Sequence, residues 1–336
     1  MLHILSTAVN AVMPIILLIL LGYFLKQKGF LSKDFLKMGN SLVFKVCLPA
    51  MLFVNVYDID GLAAIRWDIV MYCVVIVAVI FVLGLLTAVL TTKVPERRGV
   101  ILQCTFRSNF AIIGLSLAGA LGGDGAMAVA AIVSAFTIPV FNILAVIALS
   151  VFVGGGKPDV KKILLNIVKN PLIIGVVAGL VCLGIRALQE QIFGHVVFAL
   201  NDQTKFLYKA LSNLKAIASP FALLVLGGQF EFSAVKGLFK EIVVGTAWRI
   251  VLAPLLGVGC AVVLTELGVL SFGANEFPAL IALFGSPVAV SSAIMAGSMG
   301  NDEQLATQLV VWTSICSIVT IFAQVCLLMA MGLLMV

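Results

Sequence analysis

Apolar stretches of about 20 residues recur along the whole chain, separated by short loops that hold most of the charge. A stretch of that length crosses the hydrocarbon core of a bilayer as one α-helix, which satisfies its backbone hydrogen bonds internally. Of the 336 residues, 62% are hydrophobic and only 11% are charged, and the mean hydropathy is +1.21, far outside the range of soluble domains. We therefore predict an all-α integral membrane protein, a single membrane domain surrounded by the lipid bilayer.

The apolar stretches predict ten transmembrane helices. The first stretch follows no cationic segment and is a full span, so we predict a retained helix rather than a cleaved secretory signal. The predicted spans, numbered one to ten in chain order, lie near residues 8–26, 38–56, 68–91, 99–121, 126–153, 162–188, 205–229, 241–265, 278–298 and 304–335.

Basic residues gather in alternate loops, which predicts the orientation of the chain. Flanking Lys and Arg residues stay on the cytoplasmic side of a membrane, so both termini are expected outside the cytoplasm. The net charge of +6 is therefore explained by the orientation of the chain in the membrane. For that reason we expect no nucleic-acid partner. The basic loops hold Lys26, Lys28, Lys33, Lys37, Lys93, Arg97, Arg98, Lys157, Lys161, Lys162, Lys169, Lys236 and Lys240, whereas the other loops hold only Arg66, Arg186, Lys205 and Lys209.

The two halves of the chain carry similar helix-disturbing residues in the same order. Pro14 and Gly22 of span one have the same spacing as Pro171 and Gly179 of span six. Five spans is an odd number, so two halves with one fold would lie in opposite orientations. We predict two inverted five-helix repeats, residues 1–156 and 157–336, with chance matching of common transmembrane residues as the alternative. Further matched pairs are Asp68/Glu241, Gly84/Gly257, Pro49/Pro220, Ser108/Ser286, Gly119/Gly297, Gly122/Gly300 and Asp124/Asp302.

Spans four and nine are predicted to be broken near their middle. Span four contains R-S-N-F-A-I-I-G and span nine contains F-G-S-P-V-A-V-S. Pro287 removes an intrahelical hydrogen bond, and Gly285 and Ser286 loosen the same turn. Paired breaks mark a substrate site near the midplane, where half-helix N-termini offer N–H groups to an anion. The amide of Asn109 can donate to a carboxylate there.

Several fragments resemble the auxin efflux carrier family over nearly the whole chain. They include A-V-M-P-I-I-L-L-I-L-L-G-Y-F in span one, N-F-A-I-I-G-L in span four, N-P-L-I-I-G in span six and S-P-V-A-V in span nine. The resemblance implies a scaffold part and a transport part whose crossing broken helices four and nine bind organic anions and move by an elevator-like step. The short connection between spans five and six is similar to that of prokaryotic-type carriers, which implies a bacterial inner membrane.

The resemblance also implies site residues. By position, it assigns Asn109 and Pro287 to the two breaks, and Asn40 and Pro49 to span two. One departure is Ser108, where relatives often have proline, and it leaves the sharpness of the break in span four open. Two further predicted substrate-binding residues, besides Ser108 itself, are Ser286 at the break and Ser291 just past it. The hydroxyl of Ser291 either faces the site or bonds to its own helix.

Besides the cations assigned to loops above, four cations lie within the predicted spans, where a charge is costly and therefore suggests a function. Lys45 and Lys215 either attract an anion into the vestibules on the two faces or extend to the membrane surface. Arg107 either contacts a substrate carboxylate or has a structural partner. We expect Arg249 to hold scaffold helices together.

The acidic residues predict how transport is driven. All fifteen Asp and Glu lie in loops or at span edges, whereas coupled carriers often place carboxylates at the core. We therefore predict an organic-anion secondary transporter that exports by uniport down the membrane potential. A sodium-coupled symporter, with Ser286, Ser291, Asn109 and freed carbonyls as ligands, is the alternative.

Two other classes of function are considered. An anion channel would usually show rings of charge or filter motifs. A membrane-embedded enzyme needs a base or a metal, and no His, Asp or Glu is placed in the sequence to activate Ser286 or Ser291. The seven cysteines lie in apolar spans with no C-x-x-C pair, so we expect neither a metal nor another cofactor. The oligomeric state stays open between a monomer and a homodimer.

Overall fold

The computed structural model describes residues 2–58, 66–153 and 160–334. These residues fold into helices, numbered here in chain order. The boundary predicted between residues 156 and 157, together with Lys157, lies outside the described residues. The helices are α1 (Leu2–Gln27), α2 (Lys33–Tyr57), α3 (Trp67–Thr91), α4 (Pro95–Phe106), α5 (Leu115–Val151), α6 (Val160–Lys169), α7 (Pro171–Phe193), α8 (Lys205–Gln229), α9 (Ala234–Glu266), α10 (Glu276–Gly285), α11 (Val290–Ser298) and α12 (Glu303–Ala330).

Seven of these helices are long and apolar enough to cross a membrane. They are α2, α3, α5, α7, α8, α9 and α12, and residues 13–27 of α1 and helix α10 form shorter apolar segments. The prediction of an all-helical, multi-pass membrane protein is confirmed at this level. Spans four and nine contain shorter helices because both are interrupted: α4 ends at Phe106, and α10 ends at Gly285.

Local sequence explains where several helices begin. The Ser32 hydroxyl accepts a hydrogen bond from the N–H of Phe35 at 3.1 Å and so caps α2. The Asn170 side chain caps α7, which begins at Pro171, a residue suited to the first helical turn. The Asp302 carboxylate caps α12 by accepting from the N–H of Leu305 at 2.9 Å. These caps satisfy N–H groups that have no partner within their own helix.

Helices α1, α2, α7 and α8 pack through glycines. Gly22 of α1 lies directly against the backbone of Leu224 in α8, so a Cβ there would collide with a carbonyl. Gly179 of α7 lies in the same way against the backbone of Phe53 in α2, where an added Cβ would come within 2.9 Å of the carbonyl oxygen. Small residues allow such close approach in membranes, where packing rather than water exclusion holds helices together.

The turn between predicted spans four and five lies at Gly122 and Gly123. Gly123 has φ +68°, a conformation that favours glycine, and it kinks the helical segment that follows the break. Helices α3 to α5 and α9 to α12 surround the two interruptions, and the remaining long helices pack against that group. The interruptions therefore lie in the interior of the helical assembly.

Candidate substrate site

The two interrupted helices meet at their interruptions. The N–H of Asn109 donates to the carbonyl of Pro287 at 2.8 Å, and the N–H of Ala289 donates to the carbonyl of Arg107 at 3.2 Å. Ser108 and Val288 thereby form an isolated antiparallel bridge. A broken helix exposes backbone groups that cannot stay unpaired in an apolar interior, and this short pairing satisfies some of them.

The break in span four is as definite as the one in span nine. Arg107 has an extended conformation, with φ −86° and ψ 97°, and helical geometry resumes only after Asn109. The break predicted at Pro287 is also present, since Ser286 is extended, with ψ 148°. Serine in place of proline at position 108 therefore does not restore a continuous helix.

Arg249 of α9 caps the ends of both interrupted helices. Its side chain is 0% exposed. It donates to the carbonyl of Thr105 at 3.2 Å and also to the carbonyls of Leu283 and Phe284. These carbonyls belong to the last turns of α4 and α10, where the helix dipoles are negative and no intrahelical donors remain. Arg249 thus stabilises the breaks, whereas the sequence led us to expect a link between scaffold helices.

Arg107 is a buried cation with neutral partners. Its side chain is 4% exposed and donates to Asn142 Oδ1 at 2.8 Å. The guanidinium also contacts Met295 Sδ at 3.1 Å and lies 2.8 Å from the amide oxygen of Gln103 when that amide is oriented to suit its neighbours. In the described part of the chain, no carboxylate forms an ion pair with Arg107. The positive charge is therefore uncompensated.

Two polar groups beside Arg107 have no hydrogen-bond partner among the described residues. They are Asn109 Nδ2 and Ser108 Oγ, and their side chains are 3% and 4% exposed. Together with Arg107 and Ser291 they line a cavity of about 40 Å³ at the breaks, space for water rather than for an organic acid. We call it the central cavity; its apolar walls include Leu48, Met51, Leu52, Phe141, Leu172 and Ala222.

Comparison with protein families matches residues 7–155 and 158–323 to the family described as "Membrane transport protein". The chain belongs to this membrane transport family. The resemblance to auxin efflux carriers is thereby confirmed at the level of the family. This is a family of transporters rather than enzymes, which agrees with the prediction of a non-enzymatic protein.

Two curated relatives of this family member are archaeal. An "Uncharacterized transporter" of Methanocaldococcus jannaschii is 25% identical over 252 residues, which cover 73% of this chain and 76% of the relative. An "Uncharacterized transporter" of Methanothermobacter thermautotrophicus is 20% identical over 321 residues, which cover 93% and 95%. Both support the class of function and leave the substrate open.

The remaining predicted residues lie at varying distances from the central cavity. The Ser286 hydroxyl donates to the carbonyl of Ala282 at 2.6 Å, so its proton is used within its own segment of the chain. Pro287 contributes its backbone carbonyl to the pairing of the breaks. Pro49 packs against Gly175 of α7, and it does not line the central cavity. Asn40 lies in a different cavity.

Two cavities that are larger than the central cavity contain other predicted residues. One, of about 570 Å³, contains Asn40 and Lys45, and we call it the lysine cavity; its basic residues are Lys26, Lys33, Lys37 and Lys45. The other, of about 450 Å³, contains Asp58, Lys215, Asn55 and Ser134, and we call it the Asp58 cavity. It shares Ala111 and Ile138 with the central cavity. Lys215 forms an ion pair with Asp58 at 3.2 Å.

Sequence reasoning gave too little weight to two neighbours of Arg107. The side-chain oxygen of Asn142 accepts a hydrogen bond from Arg107, a contact that was not predicted from the sequence. Gln103 lies one helical turn before Arg107, and this spacing is the signal that would have placed its amide against the guanidinium. Both position the cation at the mouth of the break.

Proposed function

We propose that this family member is a secondary transporter that binds a small organic anion, a carboxylate, at the two breaks. The observation that carries the proposal is the uncompensated Arg107 guanidinium beside the unpartnered amide N–H group of Asn109. A carboxylate accepts from both donor types, and charge-assisted hydrogen bonds are the stronger ones. The anion would also supply the missing counter-charge.

The backbone at the breaks adds to this preference. Helix α11 begins at Val290, and Ala289, Val290 and Ser291 line the central cavity. The first turn of a helix has free N–H groups and a partial positive charge, both of which favour an anion. The carbonyl ends of α4 and α10 would oppose an anion, but Arg249 already neutralises them. The electrostatic field at the breaks therefore favours negative charge.

The glycine contacts support ten spans arranged as two inverted repeats, residues 1–156 and 157–336. The sequence pairs Gly22 with Gly179, and the same register that pairs Pro49 with Pro220 pairs Phe53 with Leu224. Gly22 contacts the backbone of Leu224, and Gly179 contacts the backbone of Phe53. The two contacts are thus equivalents of each other under the predicted repeat, as a pseudo-two-fold axis requires.

An elevator-type movement fits the composition of the central cavity. Its polar side comes from the broken helices, with Arg107, Ser108 and Asn109, and its other side comes from α2, α7 and α8. That second side is largely apolar and includes Leu48, Leu172 and Ala222, although Ser219 is polar. An apolar wall makes few specific bonds with a sliding neighbour, so the helices around the breaks can shift as a unit.

The orientation assigns the two larger cavities to opposite sides. We propose that the protein lies in the bacterial inner membrane with both termini outside, so that the lysine cavity faces the cytoplasm. Its four lysines would then attract anions on the inside. In the Asp58 cavity outside, the ion pair with Asp58 offsets the charge of Lys215, so Lys215 would attract anions less strongly there. Uniport down the membrane potential, worth about 2.3 kcal/mol per charge per 100 mV, would suffice for export. Coupling to sodium would need a cation site in addition.

Counterflow in proteoliposomes tests the proposal. Vesicles preloaded with an unlabelled mono- or dicarboxylate should accumulate the same labelled acid, saturably and chemically unaltered. Arg107→Gln should abolish this accumulation, whereas Arg186→Gln should retain it, because Arg186 contacts Tyr57 in α2 and does not line the central cavity. Unsaturable flux would favour a channel, altered acid would favour an enzyme, and an active Arg107→Gln variant would contradict the proposed site.

A further inference from the structure

Four side chains with oxygen atoms converge in the lysine cavity, where α2, α8 and α12 meet. Asn40 belongs to α2, Gln229 ends α8, and the other two begin α12. We call the set the Glu303 cluster; its members are Asn40, Gln229, Glu303 and Gln304. We propose that the Glu303 cluster binds a sodium ion. Sodium binding here does not depend on the anion site, although its consequence for transport rests on the proposed function.

Amide groups alone hold the Glu303 carboxylate. Asn40 Nδ2 donates to Glu303 Oε1 at 2.9 Å, and Gln229 Nε2 donates to the same oxygen at 2.8 Å. Gln304 Nε2 donates to the backbone carbonyl of Gln229 at 3.1 Å. Among the residues that the structure describes, no Lys, Arg or His forms an ion pair with Glu303. The carboxylate therefore lacks a positive partner.

The same three amides each leave a buried oxygen without a donor. These oxygens are Asn40 Oδ1, Gln229 Oε1 and Gln304 Oε1, and none accepts a hydrogen bond within the described ranges. The Asn40 side chain is only 7% exposed. A buried acceptor without a partner carries a desolvation cost, so three of them on residues that share one cavity with Glu303 favour a positively polarised ligand there.

The number of free oxygens favours a metal cation over a proton. A proton on Glu303 would supply one donor and leave other oxygens unpaired, whereas a hard cation contacts several oxygens at once. Only one of the four residues is acidic, and four lysines line the same cavity, so a divalent ion would be poorly balanced. The cluster contains no nitrogen or sulfur ligand of the kind that zinc prefers. A monovalent, oxygen-seeking ion such as sodium suits it best.

Charged side chains in the lysine cavity affect how strongly the Glu303 cluster would bind sodium. Lys26, Lys33, Lys37, Lys45 and Glu231 all line the lysine cavity. The ammonium groups repel a cation, and an ammonium could also donate to the free oxygens itself. Lys45 lies on the same helix as Asn40, just beyond it, and is the lysine deepest in the predicted span. Its replacement by methionine should therefore strengthen sodium binding.

The cluster is linked to the breaks by helix α11. This helix begins at Val290, beside the central cavity, and ends at Ser298. At Gly297 its backbone lies so close to Glu303 that an added Cβ would come within 2.6 Å of the carboxyl carbon. Sodium on the Glu303 cluster would thus hold α2 and α8 against the α11–α12 junction. Under the proposed function, occupancy of this site would bias the position of the helices that carry the anion.

Thermal unfolding of the purified protein in salt titrations tests the sodium site. Without any organic acid, NaCl should raise the unfolding temperature saturably, whereas KCl and choline chloride at equal ionic strength should not. Glu303→Gln should abolish the sodium-specific shift, and Glu231→Gln, in the same cavity, should keep it. Gln304→Ala leaves both amide bonds to the Glu303 carboxylate in place and should raise the half-saturating sodium concentration at least tenfold. This second variant tests the site even if Glu303→Gln fails to fold.

The outcomes separate this proposal from the anion site. Arg107→Gln should retain the full sodium shift, even though it loses anion binding. An equal rise in choline chloride, or a sodium-specific rise that survives in both Glu303→Gln and Gln304→Ala, would overturn the sodium site. Sodium binding that is unaffected by Lys45→Met would overturn the inference that Lys45 competes with sodium. It would not overturn the sodium site itself.

Discussion

The backbone of Asn109 in the first half of the chain bonds to the backbone of Pro287 in the second half, with the N–H of Asn109 donating to the carbonyl of Pro287 at 2.8 Å. This bond holds the two broken helices together at the point where both lose helical geometry. It also leaves the Asn109 side chain free, since Nδ2 has no partner in the described residues. The Asn109 amide is thus able to bind a substrate while its backbone holds the breaks together.

Removing the Asn109 amide should weaken binding of an organic acid. A hydrogen bond to a charged group contributes about 1.5–3 kcal/mol, so Asn109→Ala should raise the Kd for the best carboxylate at least tenfold. Carboxylate-induced thermal shifts of the purified protein measure this. Asn201→Ala is the control, because Asn201 accepts from Tyr57 at 3.0 Å and lies away from the central cavity. Equal losses in both variants would indicate a general defect.

The two buried arginines should differ in what they do for stability. Arg249→Gln leaves carbonyls of α4 and α10 without donors, and each unpaired buried group costs about 1–3 kcal/mol. Arg107→Gln instead removes a buried charge that has no counter-charge, and so removes its desolvation cost. We expect a markedly lower unfolding temperature for Arg249→Gln and little change for Arg107→Gln. The opposite order would mean that Arg107 is a structural residue.

The glycine contacts predict a matched pair of packing defects. Gly22→Ala and Gly179→Ala each force a methyl group against a neighbouring backbone, and overpacking of this kind costs about 1–3 kcal/mol. Both variants should unfold at lower temperatures, by similar amounts. Gly184→Ala in α7 is the control, because an added Cβ meets nothing within 4 Å. If Gly22→Ala lowered the unfolding temperature and Gly179→Ala did not, the result would argue against a structural repeat that relates the two halves of the chain.

The charge distribution predicts where the termini lie. A phosphatase that is active only outside the cytoplasm should be active when fused to the C-terminus, and a fluorescent protein that matures only inside should be dark there. The same fusions after Lys93, in the basic loop between α3 and α4, should show the reverse. A fluorescent C-terminal fusion would invert the orientation and exchange the sides of the lysine and Asp58 cavities.

Some of this architecture could be predicted from local sequence, and some could not. The break at Pro287 was predictable because proline cannot complete a helix at that turn. The break at Ser108 is sharper than serine requires, because its cause is not local: the backbone pairs with the segment around Val288, and Arg249 caps the helix ends from α9. The positions of helix ends in span four therefore depend on span nine.

The surroundings of the Glu303 carboxylate could not be predicted from local sequence either. The sequence places it at the edge of span ten, which led to the expectation that acidic residues play no part in coupling. Its environment comes from Asn40, 263 residues earlier, and from Gln229 on another helix. Hydropathy along the chain cannot predict such a contact, because it indicates which residues are buried and not which residues contact each other.

An experimental density map of the protein saturated with a transported carboxylate tests the central claim most directly. The account predicts density for the acid at the breaks, with its carboxylate against the Arg107 guanidinium and the Asn109 amide, and with α4 and α10 ending where they end here. Continuous helices through residues 107–109 and 286–289, or an acid bound away from both breaks, would contradict it.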